Sequence, residues 1–174
     1  MGKAGSGKDT LLHNLMEVNP SFHEIVSCTT RPKREKEIEG VNYFFLTQEQ
    51  FFDKIISNEM LETTKFNNWT YGTSYDSLSK NQVNVGVFNP TGIRHLLNNS
   101  NVDVDVYYVR AADKTRLLRQ LKREENPDVG EIIRRYGADE IDFKNLNFSY
   151  KVLENETYDD LLAGVKEILS SLES

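Results

Sequence analysis

The run GKAGSGKDT at residues 2–10 constrains this chain more than any other stretch of it. It meets the pattern GxxxxGK[ST] at Gly2, Gly7 and Lys8, with Asp9 where Ser or Thr is expected and a hydroxyl one place later at Thr10. Glycines let the backbone curl so that successive N–H groups point at phosphate oxygens, while the positive end of the following helix and the Lys8 ammonium add charge. Gly2, Ala4, Gly5, Ser6, Gly7, Lys8, Asp9 and Thr10 are therefore read as a cradle for a nucleoside triphosphate. LLHNLMEV (11–18) continues into a helix with Leu11, Leu12, Leu15 and Met16 on one stripe. The competing reading, a glycine-rich turn before an ordinary helix, has to explain Gly2, Gly7, Lys8 and the displaced hydroxyl of Thr10 as well as that helix. In α/β folds such a loop follows a strand at its carboxyl end. Only Met1 precedes Gly2, so the first strand is expected to be missing from the chain.

The 174 residues, 38% of them hydrophobic, suffice for one good core, and no Pro-, Gly- or Ser-rich linker divides them, so a single domain with a mobile lid is expected. A formal net charge of −6 argues against nucleic acid or anionic membrane as partner, and leaves anionic ligands to local clusters. A lone cysteine, Cys28, fits a reducing, cytoplasmic setting, and no apolar run approaches 18 residues. His13, His23 and His95 have no metal-ligand spacing, and the four N-x-S/T sequons read as coincidences.

Extended runs alternate with helical ones. HEIVS (23–27), YFFL (43–46), LETTKF (61–66), VNVGVF (83–88), VDVDVYYV (102–109) and YKVLEN (150–155) read as strands. Thr47 with Gln50 forms a capping box for the helix FFDKIISN (51–58), and WTYGTS (69–74) reads as an aromatic turn before a short helix near Leu78. Further helices are expected after Pro90, over 113–125, after Pro127 and over 158–172. The alternation argues for an α/β protein with a mainly parallel sheet.

A second anionic site is suggested by SCTTRPKREKEIEGVNYFF (27–45), where Arg31 and Arg34 flank Pro32. Two guanidinium groups can grip one phosphate, and Pro32 holds Arg31 extended, although RPKREK by itself is as good a solvated charge run as a site. Downstream, Glu62, Tyr71 and Thr73 could meet a small polar ligand.

Here the chain resembles the guanylate kinase family, P-loop nucleoside monophosphate kinases. The family pattern SxTTRxxRxxExxGxxYxF is met at Ser27, Thr29, Thr30, Arg31, Arg34, Glu37, Gly40, Tyr43 and Phe45, and its FLE and YYGTS segments at Met60, Leu61 and Glu62 and at Tyr71, Gly72, Thr73 and Ser74. The resemblance implies a three-layer P-loop fold with a monophosphate-binding insertion near 28–80 and a short lid near 119–137. It implies transfer of a phosphoryl group from ATP, with Mg²⁺, to GMP or dGMP. Arg31, Arg34, Tyr43 and Tyr71 would hold the acceptor phosphate, and Ser27 and Glu62 would face guanine with Glu37 and Thr73 nearby.

Two departures stand out. Where the family carries DxDxQG, this chain reads VFNPTG, so Val87 and Asn89 replace two carboxylates. Asp9, with Thr10, is a candidate replacement oxygen donor for Mg²⁺, or alternatively a cap of the helix N-terminus. For the lid, the basic stretch offers Arg116, Arg119, Lys122, Arg123, Arg134 and Arg135; spacing favours Arg119, Arg123 and Arg135 as catalytic beside Lys8, with a solvated helix face as the alternative for each. A kinase for another (deoxy)nucleoside monophosphate and a binding module without catalysis are the remaining functional readings.

Overall fold

The glycine loop feeds directly into α1, Lys8–Val18, which turns Leu11 and Leu15 into the core. The computed structural model describes residues 1–35, 37–66, 68–123 and 125–172. These form two compact units: Met1–Val18 with the chain from Asp105 onward, and Asn19–Val104 between them.

The first unit builds on two parallel strands, β7 (Tyr107–Arg110) and β8 (Lys151–Glu154), paired Tyr107 to Lys151 through Arg110 to Glu154. Met1 lies along the free side of β7: its amino group donates to Tyr107 O at 2.8 Å, and Val109 N–H donates to Met1 O at 2.9 Å. Gly2 leaves this ladder into the loop. Helices α4 (Asp113–Arg123), α5 (Val129–Asp142) and α6 (Tyr158–Ser171) complete the unit. Its core is Leu11, Leu15, Val106, Val109, Ile132, Leu153, Leu161, Val165 and Ile168. Thr157 caps α6 in a capping box with Asp160, which explains why a helix with little charge complementarity at its end starts where it does. The basic helix expected over 113–125 is described as far as Arg123; Glu124 lies outside the described residues.

In the second unit a four-stranded sheet has the order β3 (Phe44–Phe45), β2 (Cys28–Thr29), β5 (Trp69–Ser74), β4 (Met60–Phe66). WTYGTS is therefore a strand and not a turn: it pairs antiparallel with both β2 and β4. A separate parallel pair joins β1 (Phe22–Glu24) to β6 (Val83–Val85). The HEIVS run thus divides, its first residues in β1 and its end leading to β2, because its halves find different partners. Helix α2 (Gln48–Ile56) begins at the expected capping box, with Gln50 N–H donating to Thr47 Oγ1 at 3.1 Å and Thr47 N–H to Gln50 Oε1 at 2.9 Å. Such a cap contributes about 1 kcal/mol. Helix α3 (Pro90–Leu97) starts with Asn89 as N-cap and Pro90 in the first turn, and buries Ile93 and Leu96 against β4.

Candidate active site

The loop is curled by Gly5 and Gly7, at φ 79° and 89°, in the left-handed region that only glycine visits without strain. At Gly7 a Cβ would also crowd Asn155 Nδ2, so a side chain there would have to displace the amide that supports the loop. Asn155 is buried immediately past the carboxyl end of β8 and donates to Ser6 O at 2.6 Å. Arg119 reaches the same carbonyl at 3.3 Å and Glu156 O at 3.2 Å, so its guanidinium lies across the loop. The Glu156 carboxylate caps α4, accepting Ala112 N–H and the Thr115 hydroxyl. Ser6 Oγ is buried under Gly2 with no hydrogen-bond partner among the described residues.

Lys8 and Asp9 open α1. Lys8 Nζ stands 3.3 Å from Asp9 Oδ2, and the Asp9 side chain is 77% exposed, so the carboxylate faces solvent beside the lysine. Thr10 is exposed as well, its carbonyl accepting from Asn14. Among the described residues no three His, Cys, Asp or Glu side chains gather as a metal cage.

On α5, Arg134 and Arg135 both bind the Glu131 carboxylate, Arg134 through two N–H groups at 2.6 and 2.8 Å and Arg135 through Nε at 2.9 Å. The Arg134 pair, with Arg135 behind it, holds the Glu131 pKa down at about 2. Arg123 and Arg135 line a small cleft of about 60 Å³ with Gln120, Asp128, Glu131 and Ile132. Arg116 differs from its basic neighbours: it is 1% exposed and turned inward, so it does not belong to a solvent-facing lid.

In the second unit, β2 carries Ser27 at one end and Arg31 beyond the other, and β5 sets Tyr71 opposite Thr29. The Arg31 guanidinium takes Glu37 in a bidentate pair, at 3.0 and 2.7 Å, and lies 5.6 Å from the Tyr43 ring centroid and 5.7 Å from that of Phe45. Tyr43 and Tyr71 meet edge to face at 5.9 Å. The Glu37 bonds hold the Arg31 pKa above its ordinary value, and the Arg31 bond holds that of Glu37 below the usual carboxylate range. Arg34 donates its backbone N–H to Glu37 at 2.8 Å and leaves its side chain exposed. Glu37 thus orders the whole basic loop.

Glu62 of β4 faces Thr73 of β5 across the ladder. Thr73 Oγ1 donates to Glu62 Oε1 at 2.9 Å and stands 3.3 Å from Ser27 Oγ, while Oε2 lies beside Gly92 of α3. Among the described residues no cation pairs with this buried carboxylate, and burial raises its pKa to about 7 against the opposing pull of the Thr73 bonds. Asn89, standing where the family pattern has its second carboxylate, is spent on the α3 cap, its Oδ1 accepting Gly92 N–H at 2.8 Å.

Sequence reasoning missed Asn155, Glu156, Glu131, Asp139 and the inward turn of Arg116. Asn155 had one usable signal, its place just beyond the carboxyl end of a parallel strand, where α/β folds gather ligand contacts. Glu131 had one too, its spacing of three and four residues from Arg134 and Arg135 on one helix; Glu156, Asp139 and Arg116 act through partners far away in the chain, which leave no spacing pattern.

A glycine-curled loop running into a lysine-led helix, on a mostly parallel α/β scaffold, defines a P-loop nucleotide-binding protein. The guanylate kinase family profile matches residues 1–172. The guanylate kinase of Mycoplasma genitalium is 29% identical over 176 residues, covering 98% of this chain and 73% of that protein, and that of Wigglesworthia glossinidia brevipalpis is 30% identical over 176 residues, covering 97% and 84%. A crystal structure of guanylate kinase from Anaplasma phagocytophilum superposes with a TM-score of 0.73 over 99% of this chain and 82% of that one; at 19% identity this speaks for the fold. The chain belongs to the guanylate kinase family, a family of phosphotransferases.

Proposed function

We propose that the protein transfers the γ-phosphoryl group of ATP to GMP or dGMP, giving ADP and the nucleoside diphosphate, with its two units acting as one kinase domain. The observation that carries this reading is Glu62, a buried carboxylate with a hydroxyl on one oxygen and no cation among the described residues. Guanine supplies the missing partners, since its N1–H and N2–H are adjacent donors, whereas adenine sets an acceptor nitrogen against the carboxylate. Ser27 and Thr73 frame the same edge. Arg31 and Arg34, with Tyr43 and Tyr71, take the acceptor phosphate, and Glu37 holds Arg31 in place for it.

The glycine loop holds the ATP phosphates on its N–H groups, Lys8 adds a positive charge at the transferred group, and Arg119, Arg123 and Arg135 add more as they reach the phosphates. Transfer needs positioning and neutralisation of the equatorial oxygens more than covalent chemistry, so these cations are the catalytic parts. Mg²⁺ takes one or two protein oxygens and completes its shell with phosphate and water, and the exposed oxygens of Asp9 and Thr10 fit that demand. When bound with ATP it supplies further neutralisation of the phosphate charge.

A coupled ADP-release assay with GMP, dGMP, AMP, dTMP and dCMP tests the reading. Turnover is expected with the guanine acceptors; turnover with another base instead overturns the Glu62 assignment, and none with any acceptor leaves a binding module. Arg34→Ala is expected to weaken GMP binding by about 1.5–3 kcal/mol, the size of a charge-assisted contact, with the Tm unchanged because its side chain is exposed. Calorimetric titration with GMP checks this, and undiminished affinity removes Arg34 from the clamp. Asp9→Ala is expected to raise the Mg²⁺ concentration giving half-maximal turnover; if the metal titration does not move, Asp9 serves only the dipole of α1.

A further inference from the structure

The largest fully buried side chain among the described residues is a charged one, Arg116 of α4. Each of its nitrogens is engaged: Nε donates to Ala4 O at 2.9 Å, one terminal nitrogen to Asp113 Oδ1 and the other to Asp139 Oδ2, both at 2.6 Å. The Tyr136 ring covers the guanidinium face at 4.4 Å and its hydroxyl donates to Asp113 O. Asp139 Oδ2 also accepts Ala4 N–H at 2.8 Å. Both peptide groups of one loop residue are thus taken by one buried ion pair. Next to it, left-handed Gly5 lies so close to α4 that a Cβ there would stand 2.6 Å from Arg116 O.

We propose that Arg116 and Asp139 are positioning residues of the ATP loop, which hold the N–H and C=O of Ala4 and so set the curl of Gly5 to Gly7 before nucleotide arrives. This rests on the loop being the ATP site. Arg116 is 1% exposed and each of its nitrogens already meets a protein acceptor, so its influence on the loop runs through Ala4 and the neighbouring backbone. Stability alone is a poor reason for the pair, because a buried ion pair replaced by apolar side chains of similar volume is often neutral or stabilising. What apolar side chains cannot do is accept the Ala4 N–H, and they would leave its carbonyl only the long 3.5 Å contact from Gln120 Nε2. Asp139 also sits one turn beyond Arg135 on α5, so the helix that carries two of the lid arginines is the one anchored to the loop.

The test is the double variant Arg116→Met with Asp139→Leu in the full chain, beside Asp139→Asn, whose amide oxygen still accepts from Ala4. The double variant is expected to keep its Tm, to bind ATP about tenfold or more weakly by calorimetry, and to bind GMP as before, as suits the loss of oriented donors rather than of fold. Amide exchange at Ala4 and Gly5 is expected to quicken, and Asp139→Asn to recover most of the ATP affinity. Unchanged ATP affinity with unchanged exchange overturns the proposal, as does equal weakening of ATP and GMP, which marks a general loss of structure. If the double variant fails to fold, Asp139→Leu against Asp139→Asn makes the same comparison. Should the unaltered protein bind no ATP, the loop assignment fails, and the exchange at Ala4 still reports separately on the pair.

Discussion

Glu62→Gln is expected to lower kcat/KM for GMP about 100- to 1,000-fold, the loss of two hydrogen bonds to a charged acceptor, while making the protein more stable at alkaline pH. The two effects have one cause. Glu62 is 7% exposed and its pKa is raised to about 7, because burial penalises its ionised form more than Thr73 relieves it. Its folded pKa lies above the unfolded value of 4.5, so the folded state binds the extra proton between these limits. Stability is therefore full below pH 4.5 and falls as pH rises through 7, by an order of about 3 kcal/mol for this group. Glutamine carries no such penalty. Urea melts should show the variant gaining on the parent from pH 5 to pH 8 and matching it near pH 4; parallel curves across that range would mean that Glu62 is not held in a charge-averse site. If Glu62 accepts the guanine N–H groups as proposed, it does so ionised, so in the parent GMP affinity should weaken as pH drops below 7. In the variant that dependence on Glu62 should vanish.

Lys8→Met should cut kcat by about 100- to 1,000-fold, comparable with removal of one oriented donor from a transition state. Methionine keeps the length and helix propensity of the stem, so α1 and its buried Leu11 and Leu15 are undisturbed and stability should hold within about 0.5 kcal/mol. The ammonium rests 3.3 Å from Asp9, an exposed pairing that costs little to exchange for a phosphate. Steady-state turnover with saturating GMP reads the loss. A fall smaller than tenfold would place the lysine on Asp9 rather than on the transferred group.

Parts of the architecture were legible because they depend on local chemistry. The glycine loop, the Thr47–Gln50 box and the terminal helix are each specified by a few neighbouring residues. Strands were harder to place. VDVDVYYV alternates over eight residues, yet β7 is Tyr107–Arg110, because contact with β8 begins only where Val106 O accepts Lys151 N–H. WTYGTS reads as a turn by its glycine and polar residues, and becomes β5 because β2 and β4 flank it. Glu37 was placed near the acceptor without a task; it proves to be the carboxylate that fixes Arg31 and the backbone of Arg34.

By itself the sequence determined the glycine loop, the α/β alternation and the residue types of the Arg31–Glu37–Tyr43 cluster, since these are matters of spacing within short stretches. Only the tertiary structure decided which arginine is strut and which is solvent-facing, and which carboxylate is buried. Arg116 and Arg119 are three residues apart on one helix and identical in chemistry. One is buried beneath the loop and the other lies across it, because burial and partnership depend on what α5 and the end of β8 bring to each side, over separations of more than 20 and 30 residues.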